Sequence, residues 1–98
     1  MGNVDSEKYI ELKLKEGIEN LGGIAIKFLP KHFNGFPDRM CLIPHGKVIF
    51  VELKSKGIAP RKLQIHVHSL LTRMGFSVEV IDSIDSLKSF LSGLQNHS

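Results

Sequence analysis

Apolar and polar positions alternate along this chain in two different periods, and the switches between them mark its elements. From about Asp5 to Leu21 the apolar residues Ile10, Leu14, Ile18 and Leu21 recur at helical spacing, so this stretch is expected to be an amphipathic helix. Asp5 or Ser6 can cap its start, Gly22-Gly23 stops it, and Gly17 weakens it. Ile24 to Leu29 reads as a strand closed by Pro30, and the turn formers from Lys31 to Pro37 read as a loop. Met40 to Ile43 and Val48 to Lys54 read as two strands joined by the tight turn Pro44-His45-Gly46-Lys47, a hairpin. Ser55 to Ala59 is a loop, and Pro60 is well suited to open a second helix running to Met74. That helix is expected to bury Leu63, Val67, Leu70, Leu71 and Met74, with Gly75 as its stop. A last strand, Phe76 to Ile81, precedes a helix that Asp82-Ser83 opens and that carries Ile84, Leu87, Phe90, Leu91 and Leu94.

The resulting order is α-β-β-β-α-β-α. Because a helix links the third strand to the fourth, that connection is a crossover, and the fourth strand should lie parallel to a neighbour. The expectation is therefore an α/β domain with a mixed central sheet, an antiparallel meander plus one parallel strand, flanked by helices. Ninety-eight residues make one domain, residues 1–98, with no room for a separate DNA-binding module.

Composition narrows the class without naming a chemistry. The formal net charge of +3 and a pI near 9.2 allow an anionic partner without demanding one. A single thiol, Cys41, excludes an intrachain disulfide, no zinc-type cysteine spacing occurs, and Cys41 reads as a packed strand residue. With no apolar run of membrane-spanning length and no secretory pattern at the N-terminus, an intracellular, soluble, cytoplasmic protein is expected, with no membrane partner.

The chemistry concentrates between Gly35 and Lys54. Gly-Phe-Pro-Asp-Arg at 35–39 sets Asp38 behind a proline, and Glu52 and Lys54 close a strongly apolar, β-branched run one hairpin's length later. Side chains two apart on a strand share a face, so Glu52 and Lys54 project together while Leu53 points away. Glu-x-Lys on an exposed strand is ordinarily a solvated face. At the end of a run that reads as a buried central strand, the same charges are expensive unless used. Asp38 and Glu52 can hold a hard divalent cation, with the backbone carbonyl of Leu53 as a further ligand. Lys54 can serve the attacking water or steady developing negative charge, a set suited to phosphodiester hydrolysis.

Two helices can add to this cluster. Glu7 and Glu11 both lean toward the apolar stripe of the first helix, and either can join the acids. The helix dipole alone explains an acid in the first turn, so Glu11 is preferred as the third acid, with Glu7 as substitute. At the other end, Pro-Arg-Lys-Leu-Gln at 60–64 presents free N–H groups with Arg61 and Lys62, a combination suited to phosphate, and Lys56 lies in the loop before it. Gln64 sits one turn in and can donate to a phosphate or to water at the site, or do nothing. His66 and His68 point in different directions and read as rim or packing residues.

Taken together, Glu11, Pro37-Asp38, Glu52-Leu53-Lys54 and Gln64 resemble the motifs of the PD-(D/E)xK nuclease superfamily. The nearest branch is the virus-type replication-repair nuclease domain, VRR-NUC, in compact stand-alone form. The likeness runs over nearly the whole chain, through the double glycine, Gly-Phe-Pro-Asp-Arg, Val-Glu-Leu-Lys, Pro-Arg-Lys-Leu-Gln and Gly-Phe-x-Val-x-Val-Ile-Asp. It implies a restriction-endonuclease-like fold and Mg²⁺ or Mn²⁺ held by Asp38 and Glu52. It further implies that Glu11 completes the acidic cluster, that Lys54 serves the attacking water, that Gln64 supports the site or the DNA, and that no small-molecule cofactor is needed. Small stand-alone members resemble Holliday-junction resolvases, which implies a homodimer cutting branched DNA in a phage or bacterial setting.

The expected activity is thus metal-dependent, structure-specific DNA cleavage, with Arg61, Lys62 and Lys56 along the DNA backbone. The rival readings are a same-fold nuclease acting on flaps, ends or restriction-type sites, and a DNA-binding module with little turnover. Without interleaved surface aromatics, base readout is not expected.

Overall fold

The structure, a computed structural model, describes residues 6–95, so Asp5, one of the two expected helix caps, lies outside the described residues. Ser6 takes that role: its Oγ accepts the Tyr9 N–H at 3.2 Å and opens α1, Glu7–Asn20. The elements that follow are β1 (Ile24–Lys27), β2 (Arg39–Ile43), β3 (Lys47–Leu53), α2 (Lys62–Arg73), β4 (Ser77–Ile81) and α3 (Ile84–Gln95). The strands lie in the order β1-β2-β3-β4, with the first two pairings antiparallel and β3–β4 parallel, as the α2 crossover requires. The expected α/β architecture with a mixed sheet is the observed one.

Strand alternation divides the side chains between two faces. On one, Cys41, Ile49, Val51, Leu53 and Ile81 meet Ile10, Leu14 and Ile18 of α1 and Leu87 of α3, and this is the main core. Each large aliphatic buried there contributes about 1.5–3 kcal/mol relative to exposure. Cys41 belongs to it, and burial pushes its thiol up to about 11. Gly17 has a packing reason: a Cβ there would lie 2.4 Å from Leu91 Cδ1, so the glycine lets α3 lie close across α1. On the other face, Val67 and Leu71 of α2 pack with Phe50, and Met40, Val48 and Val78 border them.

The observed bounds correct several expectations. β1 ends at Lys27, and one further bond in the same register, from the Phe28 N–H to the Asp38 carbonyl at 2.9 Å, closes a loop over residues 29–37. α2 starts at Lys62 with Arg61 as its N-cap, two residues after Pro60. Its inward stripe is Gln64, Val67 and Leu71, whereas Leu63 and Met74 are 50% and 66% exposed. The helix is turned so that Gln64 faces the sheet where β3 carries Glu52, a charge an aliphatic neighbour could not satisfy. Among the described residues no helix is long and apolar enough to cross a membrane.

Candidate active site

Asp38 stands at the mouth of the β2–β3 hairpin, and its position is over-determined. Pro37 is fully buried before it, its own carbonyl accepts from Phe28 N–H and from Arg39 Nη1, both at 2.9 Å, and its Oδ1 accepts the Leu53 N–H at 3.2 Å. The last bond ties the aspartate directly to the backbone between Glu52 and Lys54. Lys54 follows β3 immediately, and its N–H donates to the Ile81 carbonyl at 3.0 Å, so the parallel neighbour holds the strand end that carries the Glu-x-Lys pair.

Glu52 and Lys54 project to the same side, as alternation requires, with Lys54 Nζ 3.6 Å from Glu52 Oε2. Glu52 is only 3% exposed. Gln64 Nε2 donates to Glu52 Oε2 at 3.1 Å, while Gln64 Oε1 accepts the Arg61 N–H at 2.8 Å. One buried amide therefore ties the first turn of α2 to the carboxylate, using the helix N3 position to orient it. Of the readings open for Gln64, a donor to phosphate or water, a support of the site or the DNA, or an idle rim residue, its observed partner is Glu52. Burial pushes the Glu52 carboxyl up to about 7, the Asp38 charge adds to the rise, and Lys54 opposes it.

Six of the expected site residues, Asp38, Glu52, Leu53, Lys54, Gln64 and Arg61, line one cavity of about 360 Å³. Glu7 lines it as well. Glu11 does not: it forms an ion pair with Arg39 Nη2. The first-helix acid brought to the cavity is therefore Glu7, the expected substitute. Arg39, 6% exposed, is the cause, because alternation along β2 sends its side chain to the α1 face, where it binds Glu11 and approaches Asp38 Oδ2 at 3.6 Å. Lys62 and Lys56 are exposed and do not line the cavity.

Two residues outside the expected site stand beside the carboxylates. Arg39 is one. The other is His68, whose Nε2 lies 3.7 Å from Glu52 Oε1, both atoms buried and without a hydrogen-bond partner. Burial and the nearby Lys54 hold its imidazole below the usual histidine range. The signal for His68 was its spacing of four from Gln64, which puts both on one helix face.

The donor set suits a hard cation. Among the described residues no three His, Cys, Asp or Glu side chains form a ligand group by themselves. Asp38 and Glu52 line open space together with Leu53, and such a carboxylate pair could hold an ion that keeps several waters, as Mg²⁺ does.

Fold and cavity together define a small mixed-sheet α/β domain with an acidic cleft at the end of a central strand. No family model matches the chain. It is 42% identical over 79 residues to a protein of Acyrthosiphon pisum secondary endosymbiont phage 1 named "Putative nuclease p44", covering 81% of this chain and 85% of that one. A solved structure described as "VRR_NUC domain" superposes with a TM-score of 0.83 at 28% identity, covering 88% of this chain and 94% of the other. The chain belongs to the VRR-NUC domain family.

Proposed function

We propose that this chain is a metal-dependent DNA endonuclease of the PD-(D/E)xK type, specific for branched DNA and acting as a homodimer. The observation that carries the reading is the convergence of Asp38, Glu52 and Lys54 on one cavity, each held by a separate structural bond. Asp38, Glu52 and the Leu53 carbonyl are the groups to hold Mg²⁺ or Mn²⁺, which when bound neutralises phosphate charge and eases ionisation of water. Glu7 is the first-helix acid of the cluster, and Glu11 acts through Arg39. Gln64 keeps Glu52 aimed into the cleft. Lys54 steadies negative charge as the phosphodiester is attacked in line. Arg61 draws a phosphate to the N-terminus of α2, with Lys62 and Lys56 along the flanking backbone.

Uncovered apolar surface supports self-association. Ile24 and Ile26 of β1 pair with Leu42 and Met40, which puts them on the α2 side of the sheet, yet both remain exposed. A second copy would also supply the second site that symmetric cutting of two strands needs.

The test is cleavage of a labelled four-way junction beside linear duplex, single strand, flap and splayed-arm DNA, with Mg²⁺, Mn²⁺ or EDTA, for wild type and Asp38→Asn. Paired symmetric cuts confined to the junction, lost in EDTA and in Asp38→Asn, are expected. Cutting of flaps or ends would replace the branched-DNA assignment, and no cutting of any substrate would leave a DNA-binding module.

A further inference from the structure

The loop over residues 29–37 forms one wall of the acidic cavity and carries apolar side chains into solvent at its lip. Leu29 is 65% exposed and Phe33 48% exposed, and both line the same cavity as Asp38 and Glu52. Water at the edge of a charged cleft is an unfavourable place for a phenyl ring, and burial against the core was available to its neighbours Phe36 and Phe50.

Phe33 is also braced. Its ring meets Phe36 edge-on at 5.5 Å, and Phe36 in turn meets Phe28 at 5.4 Å and Phe50 at 5.2 Å, all near perpendicular. The loop is shut at its base by the bond from Phe28 N–H to the Asp38 carbonyl, and its far side rests on α2. There Gly35, at φ +85°, lies so close to Leu63 that an added Cβ would stand 2.8 Å from Leu63 Cγ and 3.1 Å from its carbonyl oxygen. The ring at the lip therefore has a fixed direction and loses little freedom on contact with a ligand.

We propose that Phe33, with Leu29 beside it, is a nucleobase-binding wedge that stacks on an unpaired or unstacked base next to the scissile phosphate. A nucleobase is the apolar, flat partner that arrives with the phosphate the neighbouring cleft is built to take, and aromatic side chains stack on bases without regard to sequence. Apolar wedges of Phe or Leu also open base steps where the duplex is already strained. Bases at a branch or gap are exposed at the least cost, so the wedge supplies a preference for discontinuous DNA without base readout. The inference rests on the nuclease reading for its substrate but concerns binding, which can be measured with no turnover.

The experiment uses the full chain carrying Asp38→Asn, with and without Phe33→Ala, Phe33→Trp or Leu29→Ser, and DNA with 2-aminopurine at the branch point or in linear duplex. Binding of the Asp38→Asn protein should raise the branch-point fluorescence and favour branched over linear DNA. Adding Phe33→Ala should abolish the rise and cut the affinity preference by roughly 5- to 150-fold, the range one stacked base is worth. Leu29→Ser should reduce the preference less, and Phe33→Trp should retain it. Thermal melts and sedimentation of each variant accompany these readings. An unchanged preference in a folded Phe33→Ala protein overturns the wedge, and so does loss of self-association in that variant, which would make the ring an interface between copies. If wild type cuts no DNA while the fluorescence and preference behave as expected, the nuclease reading fails and the wedge stands.

Discussion

Glu52 is a carboxylate in a place that resists its charge, and the consequence for stability has a definite sign. Its folded-state proton is held to about 7 against 4.5 for the free side chain, so without metal the stabilising contribution is complete below about 4.5 and is lost as pH rises through about 7. Glu52→Gln should therefore melt at higher temperature than wild type at pH 8 in EDTA, by roughly 10 °C or more, and show no advantage at pH 4.5. Mg²⁺ should narrow the difference at pH 8 if it binds there, and calorimetry at both pH values checks each point. The first-helix acids separate by the same kind of reasoning. Glu11→Gln leaves the buried Arg39 guanidinium short of a partner and should cost about 1 kcal/mol in denaturant melts, discounted because Glu11 itself is half exposed. Glu7→Gln should leave the melt unchanged and lower metal-dependent cleavage.

At the scale of elements, α2 does two jobs with one face. Val67 and Leu71 pack on the sheet while Gln64 and His68 reach Glu52, so the helix both covers β3 and orients its acid. Gln64→Leu keeps the volume and removes both polar bonds. It should lower cleavage at saturating DNA far more than it weakens DNA binding, which single-turnover kinetics beside binding isotherms will separate. The loop before β2 turns against α2 at Gly35. Gly35→Ala demands a left-handed backbone of an L-residue and crowds the Leu63 side chain and carbonyl of α2, so a loss of about 1–2 kcal/mol is expected in thermal or denaturant melts.

For the whole molecule, the sheet orders the site. Asp38 comes from the strand end on one side of the hairpin, Glu52 and Lys54 from the other, Gln64 from the crossover helix, and Glu7 from the start of the chain's first helix. If Arg61, Lys62 and Lys56 follow the DNA backbone as proposed, binding should show steep salt dependence, and Arg61→Ala should reduce the slope of log K against log salt by about 1 on any DNA form. Equilibrium sedimentation over a range of protein concentrations tests the homodimer, with mass expected to rise to twice that of the chain.

Periodicity and turn residues were enough to identify each helix and strand of the described residues, though not all their bounds, and to predict the parallel crossover, because those features follow from local spacing and from short-range chain geometry. The Asp38, Glu52 and Lys54 grouping was legible for the same reason: two of the three sit two apart on one strand, and the third lies one hairpin away. Which acid of α1 faces the cleft was not legible, since it turns on a pairing between Arg39 and Glu11 from elements far apart in sequence. Nor was the inward turn of Gln64 and His68 in place of Leu63, because the wheel counts apolar residues and cannot see a buried charge on the facing strand. The exposed ring of Phe33 belongs with these. Sequence marks it as apolar, but only the packing of Phe28, Phe36 and Phe50 beneath it decides that it stands at the lip of the cavity and not in the core.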